Sequence, residues 1–231
     1  MKLARIPECP LCGDDADKGK VVKNEIALVV CNCGMTYQQT YMTQEENKNF
    51  YKDKYRENVP PYKKDVDEEN IIQEEKRGKR NAYILSSFGI RPKRHLDVGC
   101  SSGTFLNIMN EIYDCASLGV EPYDLFRKYS FSNGVNVVED ISQVKGKYDL
   151  ITLVHVLEHL LNPLEMLSNI KDLLGDRGYF FVQVPFFLLC KTHPLLFLDG
   201  VLEKMLNKAN FKTIKAGRIQ GDIWAMATHS N

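Results

Sequence analysis

The sequence predicts an α/β protein built on a doubly wound, seven-stranded, mostly parallel sheet, preceded by a small cysteine-bearing module. Three observations predict it. An apolar strand runs into a small-residue turn and a helix at HLDVGCSSGTF (95–105), YDLITLV (148–154) is a near-continuous apolar strand of the buried parallel kind, and strand-like and helix-like segments alternate from 95 to the end. At 231 residues, 44% hydrophobic and 26% charged, the chain can hold one full core and a small appendage. Its 30 Lys and Arg balance 30 Asp and Glu, so no global basic field draws nucleic acid or an anionic membrane. No apolar run reaches the length of a membrane span, and MKLARIPECP lacks the apolar core of a secretory signal, so the expected location is cytoplasmic.

Each element follows in order. In 95–105, Leu96 and Val98 are buried-strand residues, and Asp97 is expected to point out at the strand's carboxyl end. Gly99, Ser101, Ser102 and Gly103 let the backbone approach a ligand, and the helix over 104–112 presents free amides to it. The strand 117–120 ends in Glu121, 22 residues beyond Gly99, where a carboxylate accepts hydrogen bonds from both hydroxyls of a ribose. Together these indicate an adenosine-containing cofactor. A dinucleotide pyrophosphate needs glycine at the third and sixth positions counted from Gly99; Ser101 and Thr104 stand there, which disfavours NAD and FAD. The strand 137–140 ends in Asp140, and 148–154 runs into HVLEHLLNP. Asn162 and Pro163 open a helix over 164–174 that Gly175 is expected to close. Residues 178–185 read as a fifth strand, 199–209 as a helix, and 212–216 with 222–228 as a final strand pair whose short connection makes it antiparallel.

The pattern DVGCSSG, the acidic end of the next strand and the ordered segments through the last strand pair resemble the class I S-adenosylmethionine (SAM) methyltransferases over roughly residues 70–231. That resemblance implies SAM as cofactor, with Asp97, Gly99, Ser101 and Gly103 around its methionine moiety and Glu121 on its ribose. It implies further that Asp140 receives the adenine amino group and that Ile141 packs against the ring.

Cysteine spacing describes the amino-terminal region. Cys9 and Cys12 form CPLCG, and Cys31 and Cys33 form CNCG after an 18-residue gap, the separation of two knuckles in a zinc ribbon. Four thiolates so spaced converge on one tetrahedral ion, so zinc is expected on Cys9, Cys12, Cys31 and Cys33. The second pair is CxC where a ribbon carries CxxC, which makes Cys31 the least supported ligand. Cys100, Cys115 and Cys190 read as packing residues. Thr43 and Glu46 make a capping box for a helix over 44–56. The order of knuckles, short aromatic strand and FYxxxY resembles the zinc-binding region ahead of SAM-dependent methyltransferases of sugar nucleotides and natural products, which nominates Tyr51, Tyr55 and Tyr62 as covering residues. Residues 58–94 add a charged connection and a helix over 68–87, whose EEKRGKR run reads as a solvated face. The expected organisation is therefore a zinc-ribbon-like module at 1–42, a helical connector or lid at 43–94, and a methyltransferase core at 95–231.

HVLEH carries the most chemistry. On a helix His155, Glu158 and His159 would share one face. The HxxEH spacing is also that of an inverted zinc peptidase, but it follows a buried parallel strand and lacks an evident third ligand. A divalent-metal site is a second reading, resembling the ubiquinone-pathway O-methyltransferases at Glu158 and His159 but not at His155. The favoured reading has His155 face cofactor or substrate while Glu158 and His159 fix the loop. Methyl transfer relies on in-line alignment, with a base removing the acceptor's proton. His155 and His193, the latter in KTHP just after the fifth strand, are the candidate bases. The reading reached is a SAM-dependent methyltransferase acting on oxygen or carbon of a small-molecule or sugar-type acceptor. Two others stand beside it: an RNA methyltransferase with an amino-terminal zinc module, and a non-catalytic SAM-binding protein that docks a partner through the ribbon.

Overall fold

The computed structural model describes residues 3–22, 25–53 and 66–230. Tyr55 and Tyr62 lie outside them. In chain order the strands are β1 (Leu3–Arg5), β2 (Lys20–Val22), β3 (Leu28–Val30), β4 (Thr36–Gln38), β5 (Thr40–Met42), β6 (Arg94–Val98), β7 (Ala116–Val120), β8 (Val137–Val138), β9 (Tyr148–Val154), β10 (Leu174–Pro185), β11 (Leu195–Leu196), β12 (Phe211–Ile219) and β13 (Asp222–His229). The helices are α1 (Gln44–Asp53), α2 (Glu68–Ser86), α3 (Thr104–Tyr113), α4 (Asp124–Ser132), α5 (Pro163–Leu173) and α6 (Val201–Lys208). A seven-stranded sheet has the order β12-β13-β10-β9-β6-β7-β8, as the alternation of elements predicts. The pairs β6–β7 and β7–β8 are parallel, and β10–β13 and β12–β13 are antiparallel. No helix among the described residues is long and apolar enough to cross a membrane.

Backbone contacts divide the chain into two compact units, 48–152 with 173–175, and 1–47 with 153–172 and 176–231. In the first, α2 starts at Asp67, whose carboxylate accepts from the N–H groups of Glu69 (2.8 Å) and Asn70 (3.3 Å). Gly78, inside the charged EEKRGKR run, brings α2 onto α3: a Cβ there would lie 2.8 Å from Ile108 Cδ1. That run is therefore a packing face at Gly78 as well as a solvated one. Leu96, Leu106, Met109, Leu150 and Ile151 fill the core, and Cys100, Leu106, Val135 and Val137 cluster beneath the turn after β6. Gly175 does not close α5. Helix and strand are contiguous, and Gly175 lies within β10, where a Cβ would come 3.2 Å from the Tyr148 carbonyl oxygen.

In the second unit, β12 and β13 join through Gln220 and Gly221, both at positive φ (48° and 85°), a two-residue loop matched to the twist of a hairpin. Phe180 packs on Phe211 and Phe181 on Trp224, with ring centroids 5.1 and 6.1 Å apart. A smaller sheet has the order β11-β4-β3-β2, so a strand from beyond β10 completes the sheet of the amino-terminal module. In that sheet β11 pairs with β4 in the register Leu195–Tyr37 and Leu196–Thr36.

Gly119 is the most closely enclosed of the glycines described in the first unit. A Cβ there would overlap Cys100 Sγ and lie 2.9 Å from Leu106 Cδ1. Gly119→Ala is expected to cost about 1–3 kcal/mol of stability in urea denaturation, the range for overpacking a filled core. An unchanged midpoint and slope would contradict that packing.

Candidate functional site

The turn after β6 is held from three sides. Gly99 and Gly103 sit at φ 79° and 75°, and Ser101 at φ 51°, a left-handed conformation that a non-glycine residue keeps only under constraint. The constraint is visible: Ser101 N–H donates to Glu121 Oε2 (3.0 Å), its hydroxyl donates to Glu74 Oε1 (2.7 Å), and its carbonyl accepts from Ser130 Oγ (3.2 Å). Ser102 Oγ donates to the other Glu74 oxygen. A Cβ at Gly103 would come 3.1 Å from Ser130 Oγ. Glu74 escapes the sequence reading because it belongs to a run of mixed charge; the signal that could have found it is Gly78, one turn later, which seats the helix on its neighbour.

Glu121 is oriented by two backbone donors, Ser101 N–H and, on its second oxygen, Tyr123 N–H at 2.9 Å. Both bonds align the carboxylate at the carboxyl end of β7, and its carbonyl accepts from Arg127 Nη1 (2.9 Å). Asp140 caps the short turn 141–143, accepting from Ser142 N–H at 3.0 Å, and Lys48 Nζ lies 3.4 Å away. The Ser142 bonds and the lysine hold its carboxyl below the ordinary value. Ile141 is half-buried beside it.

Asp97 differs from expectation. It is buried, not projecting, and Thr152 Oγ–H donates to its Oδ1 at 2.6 Å. That same hydroxyl lies 2.8 Å from His95 Nε2. One hydroxyl has one proton, so His95 donates through Nε2 and accepts through Nδ1, 3.5 Å from Ser117 Oγ. Burial holds His95 neutral, its pKa lowered to about 3, and pushes Asp97 up to about 7.

In the other unit, HVLEH does not form a helical face. β9 ends at Val154, His155 adopts a left-handed conformation (φ 55°), and only Leu157–His159 make a 3-10 turn. His155 therefore parts from Glu158 and His159. Its N–H donates to the Gln183 carbonyl (2.9 Å), and its Nε2 lies 3.2 Å from Asp222 Oδ1. His193 joins the other two instead: donor atoms of Glu158, His159 and His193 lie within 4.8 Å of one another. His159 Nδ1 is 3.0 Å from the Thr192 carbonyl and His193 Nδ1 is 3.2 Å from the Leu188 carbonyl. Carbonyls only accept, so both rings donate through Nδ1, and His159 Nε2 faces Glu158 Oε1 at 3.8 Å. Burial lowers the pKa of His193, which favours its neutral form.

The segment carrying His193 is bound to the amino-terminal module. Gln38 Nε2 donates to the carbonyls of Cys190 and His193 (both 2.9 Å), Tyr41 O–H donates to Thr192 O (2.9 Å), and Gln38 N–H donates to Pro194 O (2.8 Å). Asn47 Nδ2 donates to His159 O (3.0 Å). Beneath these contacts the four cysteines converge. Cys9 Sγ is 3.6 Å from Cys33 Sγ and Cys12 Sγ is 3.5 Å from Cys31 Sγ, close to the roughly 3.8 Å edge of a tetrahedron of sulfurs ~2.3 Å from zinc. All four lie within 4.8 Å of one another, Cys31 included, so the CxC spacing brings both its sulfurs into the cluster. Burial raises the Cys9 and Cys12 thiols, the latter to about 11, so a cation among them is what would hold thiolates there.

These geometries meet the comparisons with known proteins. A family described as "Methyltransferase domain" matches residues 72–216, and the chain belongs to that family. It is 31% identical over 103 residues to the ubiquinone biosynthesis O-methyltransferase of Shewanella pealeana, a match covering 40% of this chain and 44% of that relative. The chain thus matches less than half the length of that curated relative. In fold it is similar to the 1,6-didemethyltoxoflavin-N1-methyltransferase of Burkholderia thailandensis, solved with its substrate and S-adenosylhomocysteine (16% identity, TM-score 0.67, covering 93% of this chain and all of that one). It is also similar to the SAM-bound magnesium protoporphyrin IX methyltransferase of Synechocystis (16% identity, TM-score 0.61, covering 80% and 97%).

Two outcomes are expected. Raised from 3.8 to about 7, Asp97 retains its proton in the folded state, so it supports folding fully below pH 3.8 and loses that contribution as pH rises towards 7. Asp97→Asn should flatten the fall in stability across that window in denaturant titrations at several pH values; an unaltered pH profile would contradict the burial argument. Protein purified without chelator should carry one zinc per chain by elemental analysis. Cys12→Ser should abolish that zinc and loosen hydrogen-exchange protection at both residues 28–42 and 190–196, because β4 and β11 share a sheet. Zinc near zero in the wild type would reject the metal, and protection lost only before residue 43 would reject the coupling.

Proposed function

We propose that this chain is a SAM-dependent methyltransferase acting on an oxygen or carbon of a small-molecule or sugar-type acceptor, with a structural zinc on Cys9, Cys12, Cys31 and Cys33. Family membership supports methyl transfer, and the relatives that act in ubiquinone biosynthesis, on 1,6-didemethyltoxoflavin and on magnesium protoporphyrin IX support a small acceptor. The observation that carries the cofactor assignment is Glu121: a carboxylate fixed by two backbone N–H groups at the end of β7, beside a turn with serine and threonine where a pyrophosphate would need glycine. Four thiolates and a reducing setting suit one another, in keeping with a cytoplasmic enzyme.

SAM supplies an electrophilic methyl group on a sulfonium sulfur. The chain's own residues align and deprotonate. Glu121 accepts from the ribose hydroxyls, Asp140 from the adenine amino group, and Ile141 packs on the ring. Gly99, Ser101 and Gly103 line the methionine end, with Asp97 as the buried end of β6, and the N-terminus of α3 favours the methionine carboxylate. His155 and His193 are the candidate bases; the neutral imidazole that burial favours at His193 is the form able to take a proton.

Calorimetric titration tests this. SAM and S-adenosylhomocysteine should bind and NAD should not. Glu121→Ala should weaken SAM binding by about 1–3 kcal/mol, the loss of charge-assisted hydrogen bonds in a partly buried site. NAD binding without SAM binding would overturn the assignment.

A further inference from the structure

Asp222 has no place in the motifs that define the cofactor turn, yet it is the carboxylate that meets His155. It opens β13 directly after the Gln220–Gly221 loop, in register with Pro185, and is itself buried. Gln183, fully buried on β10, touches both partners: its carbonyl accepts the His155 N–H at 2.9 Å, and its side-chain Nε2 donates to Asp222 Oδ2. His155 takes a left-handed backbone in this arrangement, a strained conformation for a non-glycine residue. Such strain persists where surrounding bonds over-determine it, and here they bring one edge of the ring to within 3.2 Å of one oxygen.

Nε2 of His155 is buried and lies 3.2 Å from Asp222 Oδ1, an ion-pair distance at an angle short of a hydrogen bond. A bare nitrogen lone pair facing an ionised carboxylate oxygen would set two acceptors against each other, whereas an N–H there is an attractive contact. The imidazole keeps 29% of its side-chain surface exposed against 11% for Asp222, so the histidine is the member of the pair within reach of a ligand.

We propose that Asp222, oriented by Gln183, is a positioning residue that fixes His155 in the tautomer with its proton on Nε2 and its lone pair on Nδ1, the atom that accepts the acceptor's proton. The inference rests on His155 serving as the base in the proposed methyl transfer. In that step the acceptor O–H or C–H bond breaks as the bond to the methyl carbon forms. The proton passes to Nδ1, giving an imidazolium beside the Asp222 carboxylate, and the methyl–sulfur bond pair leaves on a neutral thioether. Release of the Nδ1 proton to water restores the neutral ring. Removing the carboxylate while keeping its shape would free the ring to adopt the wrong tautomer.

The tautomer is read directly by long-range proton–nitrogen correlation spectra of the full chain labelled with nitrogen-15 histidine, the His155 signals being assigned by their loss in His155→Gln. Wild type should show Nε2 protonated and Nδ1 bare. Asp222→Asn should shift His155 towards the Nδ1-protonated form, and Asp222→Glu should return part of the wild-type pattern. With protocatechuate as probe acceptor, Asp222→Asn should lower kcat about tenfold or more while leaving the KM for SAM within about twofold. A bare Nε2 in the wild type, or a His155 tautomer indifferent to Asp222→Asn, would overturn the proposal. The spectra need no turnover. An Asp222-dependent tautomer in a protein that binds no SAM would support the positioning of His155 and count only against the methyltransferase reading.

Discussion

The hydrogen bonds from Gln38 and Tyr41 to residues 190–194 are the constraint on which one half of the molecule depends. Three side-chain bonds and one backbone bond reach a segment about 150 residues away in sequence, and the β4–β11 pairing extends the same seam. A module of five short strands, split between a two-stranded sheet and three strands of another, buries too little to stand alone. An ion held by the four-cysteine cluster would supply folding energy that its apolar residues lack. The amino-terminal module is thereby a brace for the segment bearing His193, and through Asn47 for the turn bearing His159. A loop with a neutral buried histidine needs such a brace, since each carbonyl it orients would otherwise take many conformations.

The other half is governed by one carboxylate holding another element's backbone. Glu121 and Glu74 clamp Ser101 from the β7 end and the α2 helix respectively, and that clamp keeps the turn open in a left-handed conformation. Beneath it, the His95–Thr152–Asp97 chain fills polar space in the core, His95 Nε2–H donating to the Thr152 hydroxyl and that hydroxyl to Asp97. Buried groups satisfied in this way fix the end of β6, and therefore the start of the turn, more sharply than apolar packing would.

Much of this was legible in the sequence because it is local. The seven strands, the glycine turn, the acidic end of β7 and the cysteine knuckles each declare themselves within a dozen residues, through period, turn chemistry or ligand spacing. What was not legible depends on residues meeting across the fold. HVLEH has the spacing of a shared helical face, but β9 continues to Val154 and His155 turns over in a left-handed conformation, so the grouping becomes His155 with Asp222 and Glu158 with His159 and His193. Asp222 and Gln183 look like ordinary strand residues until β10 and β13 pair. Asp97 reads as a strand-end acid, and only the neighbouring Thr152 shows that it is an interior one. Gly175 reads as a helix stop, and only the approach of the Tyr148 carbonyl shows why a strand needs glycine there.

The central claim is that the turn 99–103 and Glu121 form the seat of an adenosyl sulfonium cofactor. A crystal structure of the protein grown with S-adenosylhomocysteine tests it most directly. The account predicts both ribose hydroxyls on the Glu121 carboxylate, the adenine over Ile141 with its amino group at Asp140, and the homocysteine end against Gly99, Ser101 and Gly103. A ligand bound elsewhere with this turn unchanged, or a ribose that leaves Glu121 engaged only by Ser101 and Tyr123, would contradict it.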